Sequence, residues 1–217
     1  MPKATMSVDD GARRLIMLGG GGHARVLQET LAAAGRSLGG YIAPERSTFL
    51  VDTDHLGGDE ALDGLEAGEV LLVNGLGSVG DPTSRRRVFV EATARGFSFA
   101  TVVDPSATVR SSARIGHGAQ ILAGSIVNSD AVVGDDCIVN SGAIIEHHAT
   151  LGAHTHVAPG AVIGGSATVG ESTHVGLGAR LIQGVAVGSL CTIGAGAVVI
   201  RDVSSGVTAV GVPAVSR

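Results

Sequence analysis

Residues 139–151 read Val139-Asn140-Ser141-Gly142-Ala143-Ile144-Ile145-Glu146-His147-His148-Ala149-Thr150-Leu151, with an aliphatic side chain at Val139, Ile145 and Leu151. The same register runs unbroken in both directions. It starts at Val103, Val109, Ile115, Ile121, Val127 and Val133, and continues through Val157, Ile163, Val169, Val175, Leu181, Val187, Ile193 and Val199. Four residues beyond the aliphatic stands a small side chain, as at Ala107, Ala113, Ser125, Ala143, Ala161 and Ala197. A period of six fits neither the 3.6 of a helix nor the 2 of a strand; it fits a solenoid of short parallel strands and tight corners, with large and small side chains both turned inward.

If three hexads make one coil, residues eighteen apart stack roughly 4.8 Å above one another. The position before each inward aliphatic then faces out, in columns such as Ile126, Ile144, Val162, Arg180, Val198 and Ile138, His156, His174, Thr192. The first column is mostly apolar, which predicts contact with another subunit. Three-fold closure suits a triangular prism, and the histidine column is expected near the rim of that contact. Cys137 and Cys191 fall on one inward column three coils apart, about 14 Å at that spacing, so they are read as buried thiols and not a bridge.

The first hundred residues follow another pattern. Leu15-Ile16-Met17-Leu18 reads as a strand, Gly19-Gly20-Gly21-Gly22-His23 as a loop, and Ala24 to Ala34 as a helix, the opening of a βαβ unit. Further strands are expected at 40–43, 70–74 and 98–102, and a helix over 82–95. The reading is an α/β domain over residues 1–102, then the solenoid over 103–217 with Val210 to Ala214 as a cap over its exposed edge. A net charge of −5 with no basic run argues against nucleic acid. Met1 to Asp10 lacks an apolar segment and no stretch approaches the roughly 20 apolar residues of a membrane span, which predicts a cytoplasmic protein.

Polar chemistry is densest at Glu146-His147-His148, with His154 and His156 close behind. A neutral imidazole is the usual base near neutral pH, and a neighbouring carboxylate fixes its tautomer. The eighteen-residue coil places Asp130 below His148 and Asp136 below His154, so carboxylate and imidazole pairs are expected on this surface. Zinc held between solenoids by three histidines would require a pair separated by two coils; no histidines in the repeat have that spacing, and no metal is expected. The glycine loop before the first helix permits close approach of a phosphate or sugar.

Several stretches together resemble the bacterial family of sialic-acid O-acetyltransferases and nucleotide-sugar amine N-acetyltransferases. They are Gly19 to His23, Val73-Asn74-Gly75-Leu76-Gly77, Asn140 to His147, His156-Val157-Ala158-Pro159-Gly160 and Gly211-Val212-Pro213-Ala214. The resemblance implies a Rossmann-like first domain and a left-handed parallel β-helix assembled as a homotrimer. It implies acetyl-CoA between neighbouring helices, with His156, Gly165, Leu177 and Ala195 on its path, and a nucleotide-linked amino sugar held by Gly21, Gly22, His23 and Gly77. His147 matches the catalytic base, and Glu146 is its expected partner. The chain departs from the family in having His148 where an acid usually follows the base, and Ala43-Pro44 where acids read the nucleotide. The reading is an acetyl-CoA-dependent N-acetyltransferase; a sugar O-acetyltransferase and a non-catalytic trimeric sugar-nucleotide-binding scaffold are its alternatives.

Overall fold

The computed structural model describes residues 13–78 and 82–217. The Met1 to Asp10 segment lies outside them. Strand β1 (Arg14–Leu18) passes through the glycine loop into helix α1 (Gly22–Ala33), and β2 (Leu38–Ile42) returns parallel beside it. A short β3 (His55–Gly57), a 3₁₀ turn at Asp59–Gly64, β4 (Val70–Asn74) and helix α2 (Thr83–Ala94) follow. The sheet is parallel throughout, in the order β3-β2-β1-β4. β1 and β4 read as continuous apolar runs because both faces of a parallel sheet are covered. The strand expected at 98–102 is reduced to a single bridge from Phe99 to Leu72, since the chain leaves the sheet there to enter the solenoid. β3 has no apolar alternation and went unseen in the sequence.

From Val102–Val103 onward the chain winds as a three-sided parallel β-helix. Face one begins with that strand and stacks Gln120–Ile121, Ile138–Val139, His156–Val157, His174–Val175 and Thr192–Ile193. Face two runs from Thr108–Val109 to Val198–Val199, and face three from Arg114–Ile115 to Ala186–Val187. The eighteen-residue register holds at every step, as in Ile144 on Ile126 and Thr150 on Val132. Within the prism the inward aliphatic and small residues form one core, most of them fully buried. Cys137 and Cys191 are free, buried thiols in that core; desolvation pushes the Cys137 pKa up to about 12. Thr208–Val210 extends face one, and Val215–Ser216 folds back antiparallel to cover the sheet edge.

The corners follow a strict rule of their own. Every sixth residue from Gly118 to Gly196 has a left-handed backbone, with φ between 53° and 74°. The edge between faces one and two turns on glycine at each coil (Gly124, Gly142, Gly160, Gly178, Gly196), whereas the edge between faces two and three carries Asp130, His148, Ser166 and Gly184. An L side chain in this region costs about 1–2 kcal/mol, so the residues kept there are conformationally expensive.

The α/β domain roofs face one. Leu15, Met17, Leu27, Tyr41 and Val73 share a buried cluster with Leu122 and Ile138 of the helix. Ile138 and His156 of the histidine column therefore lie buried under the roof. Two apolar surfaces in one chain meet before either waits for a partner. The column of Ile126, Ile144, Val162 and Val198 on face two stays half-exposed.

Candidate functional site

A polar seam runs beneath the roof. The Arg85 guanidinium meets the Asp136 carboxylate at 2.7 Å, with side chains 1% and 0% exposed. It also donates to the Asn74 and Leu76 carbonyls, while Asn74 Nδ2 donates to Asp136 Oδ1 and His154 Nδ1–H to Asp136 Oδ2. Asp136 and His154 were expected on the surface. They are buried because α2 swings Arg85 over that corner. The Ser84-Arg85-Arg86-Arg87 run looks like a solvated helix face, and nothing local marks Arg85 as the member that turns inward.

The same seam fixes the glycine loop. His23 Nε2–H donates to Gln120 Oε1 at 2.7 Å, and Gln120 Nε2 donates to the Asn74 carbonyl. His156 Nδ1–H donates to the Ser78 carbonyl at 2.8 Å, and its Nε2 accepts from Asn140 Nδ2 at 3.1 Å. Burial holds both rings neutral: it is the main cause lowering His23 to about 4, with the Arg85 charge second, and it likewise lowers His156 to about 4. Gln120 and Ser78 escaped the sequence reading. Gln120 stands one coil below Ile138 in a column that is otherwise mostly polar, so nothing local marks it as the residue that ties the glycine loop to the helix.

Around the loop the surface is open. Gly21 is the N-cap of α1 at φ −84°, and no atom lies within 4 Å of where its side chain would begin; the same space surrounds Gly22. Beside it a cleft of about 420 Å³ is lined by Gly20, Ala43, Pro44, Arg46, Ser47 and Phe49. Ser47 closes its floor by donating to the Gly20 carbonyl. A helix N-terminus beside a glycine turn suits a phosphate, and a cleft at the strand ends suits a nucleoside. A Cβ added at Gly77 would lie 3.6 Å from the Cβ of His23, so the two turns are neighbours.

His147 is elsewhere. It follows strand Ile144–Ile145 of face two and precedes Thr150–Leu151 of face three, so it stands on the edge opposite the roofed face. Its ring is exposed and lies over Gly165 in the next coil, where an added Cβ would come within 2.7 Å of Nε2. Its Nδ1 faces His148 Nδ1 at 3.1 Å. Glu146, its expected partner, instead accepts from Asn128 Nδ2 at 3.1 Å. Leu177, 59% exposed, and Ala195 line the all-glycine edge between faces one and two. In one chain the candidate residues therefore form two groups: Glu146, His147 and Gly165 on the free edge, and His23, Gly77, His156, Leu177 and Ala195 on or beside the roofed face. Among the described residues no cluster of three or more His, Cys, Asp or Glu could hold a metal ion, and no helix is long and apolar enough to cross a membrane.

The bacterial transferase hexapeptide (six repeats) model matches residues 130–165. The fold superposes on PerB, the perosamine N-acetyltransferase of Caulobacter crescentus, in complex with CoA and GDP-perosamine, at 36% identity and TM-score 0.87, covering 94% of this chain and 97% of that one. The acetyltransferase domain of PglB from Neisseria gonorrhoeae in complex with acetyl coenzyme A aligns at 33% identity and TM-score 0.88, over 95% of this chain and all of that one (100%). WeeI from Acinetobacter baumannii shares the fold at 18% identity and TM-score 0.83, over 94% of this chain and 100% of that one. A search of curated proteins finds no match. With relatives above 30% identity aligned over almost their whole length, a left-handed parallel β-helix and the motifs at both ends, the chain belongs to the family of hexapeptide-repeat acetyltransferases that includes the perosamine N-acetyltransferase and the PglB acetyltransferase domain.

Proposed function

We propose that this protein transfers an acetyl group from acetyl-CoA to the amine of a nucleotide-linked amino sugar. The observation that carries the reading is the division of the site. An open imidazole stands on one edge of the prism, and a glycine turn with an anion-ready helix end is locked to the opposite face. A second copy docked through the half-exposed column on face two would bring the two together, which a homotrimer does three times over. In this assembly residues 1–102, a Rossmann-like domain, hold the sugar nucleotide through Gly21, Gly22, His23 and Gly77. Residues 103–217 supply His147, Glu146 and the acetyl-CoA path along His156, Gly165, Leu177 and Ala195. That path fits a pantetheine arm: no atom lies within 4 Å of a Cβ at Gly160, Gly178 or Gly196, and Leu177 offers apolar surface. The solved complexes of PerB with CoA and GDP-perosamine, and of PglB with acetyl coenzyme A, support the same pair of ligands. A cytoplasmic location, where both substrates are made, goes with it.

The amine nitrogen attacks the thioester carbonyl, the C–N bond forms and the C–S bond breaks. His147 Nε2 takes the amine proton, and the departing thiolate receives it. The contribution of the protein is alignment plus this proton transfer. Incubation with acetyl-CoA and a panel of GDP-, UDP- and dTDP-linked amino sugars should yield an amide by mass. His147→Asn should lower kcat by about 10²- to 10⁴-fold with an unchanged melting temperature, because the ring is exposed. An ester product, or full turnover by His147→Asn, would overturn the reading.

A further inference from the structure

The left-handed corner after the proposed base carries an imidazole where glycine would be free of strain. His148 has φ 61°, while Gly184, two coils above, takes the same turn at 74°. The ring is placed with purpose. Its Nδ1 lies 3.1 Å from His147 Nδ1, the rings meet edge-on at 84°, and its Nε2 lies 3.8 Å from Asp130 Oδ2 one coil below.

Two neutral imidazole nitrogens that face each other share one hydrogen, and only one arrangement suits the carboxylate. The negative field of Asp130 favours N–H at His148 Nε2, which leaves a lone pair at His148 Nδ1. That lone pair accepts from His147 Nδ1–H. His147 is then bare at Nε2, the nitrogen that lies over Gly165. Glu146 does not compete for this role, since its carboxylate accepts from Asn128.

We propose that His148, aligned by Asp130, is the positioning residue that fixes the tautomer of His147, so that a histidine does the work of the acid usual at this position. The inference rests on the reading of His147 as the base. During transfer the amine proton moves to His147 Nε2 as the C–N bond forms. The imidazolium keeps donating through Nδ1 to His148, and the Nε2 proton leaves with the thiolate as the C–S bond breaks. His148 itself gains and loses nothing.

His148→Gly is the decisive variant, because the corner accepts glycine without strain and the protein should melt no lower than the parent. Its kcat should fall on the order of 10- to 100-fold, less than where a buried acid orients the base, with KM for both substrates unchanged. Two-bond ¹H–¹⁵N spectra of the parent above the titration of the ring should show His147 as the Nδ1–H tautomer, and His148→Gly should convert it to Nε2–H. His148→Asp, tolerated in a left-handed turn, should restore most of the rate and the parent tautomer. A parent already in the Nε2–H form, a His148→Gly spectrum that keeps Nδ1–H, or parental kcat in that variant would each overturn the proposal. The spectra need no substrate, so their failure is distinct from failure of the acetyl-transfer reading, which would appear as a parent that forms no product.

Discussion

His147 and His156 are separated by half a coil of one repeat, yet the structure treats them in opposite ways. His156 lies under the α/β domain with both ring nitrogens hydrogen-bonded and a pKa lowered to about 4. His147 stands on the free edge with Nε2 open over a glycine. His156 takes the outward strand position before Val157, whereas His147 sits at a corner two residues after Ile145; the roof covers the first and leaves the second available for chemistry. A histidine column on a solenoid is therefore ambiguous until the covering element is known.

The contrast can be broken most severely at the seam. Arg85→Ala should leave Asp136 buried without its cation and cost about 3–5 kcal/mol, read as a large fall in melting temperature. If the loss were under about 1 kcal/mol, the roof would be held by its apolar contacts alone. Acid should act on the same side. His23 and His156 have folded-state pKa values lowered to about 4 from an ordinary 6.5, so the unfolded chain binds more protons between those values. Their stabilising contribution is intact above about pH 6.5 and declines as pH falls toward 4, on the order of 3 kcal/mol for each site. Denaturant titrations across that window check the slope, and His156→Gln should flatten it.

On the free edge the expected effects fall on activity. Gly165→Ala should push the His147 ring from its place and lower kcat roughly 10-fold while the melting temperature holds, because an exposed side chain can yield. Equal loss of stability would mean that the coil itself, not the ring, resists the methyl group. The smallest effect concerns strain. Leu190 is 61% exposed at φ 58°, and Leu190→Gly should raise stability by up to about 1 kcal/mol, measurable as a modest rise in melting temperature.

How much of this was legible follows from the same contrast. The spacing of six dictated the coil, the inward core and the stacking of Asp130 beneath His148, because each depends only on residues in register. Glycine after β1 similarly marked the loop. Arg85, Gln120 and Ser78 were not legible, since their roles arise where two elements distant in sequence close on one another, and no local period records that meeting. Asp136 illustrates the point: at a corner it reads as a surface acid, and only the approach of α2 makes it the buried centre of a network.

The most direct test of the shared site uses two variants that each disable one half. Gly21→Glu puts a negative charge at the helix end where nothing obstructs it, and His147→Asn removes the base. Each alone should be inactive as a well-folded protein. After the two are unfolded and refolded together in equal amounts, activity should return to roughly a quarter of the parental sites, because some neighbouring copies then pair an intact edge with an intact loop. A mixture as dead as its components would show that the base and the sugar loop must come from one chain, and the account given for this fold would be wrong.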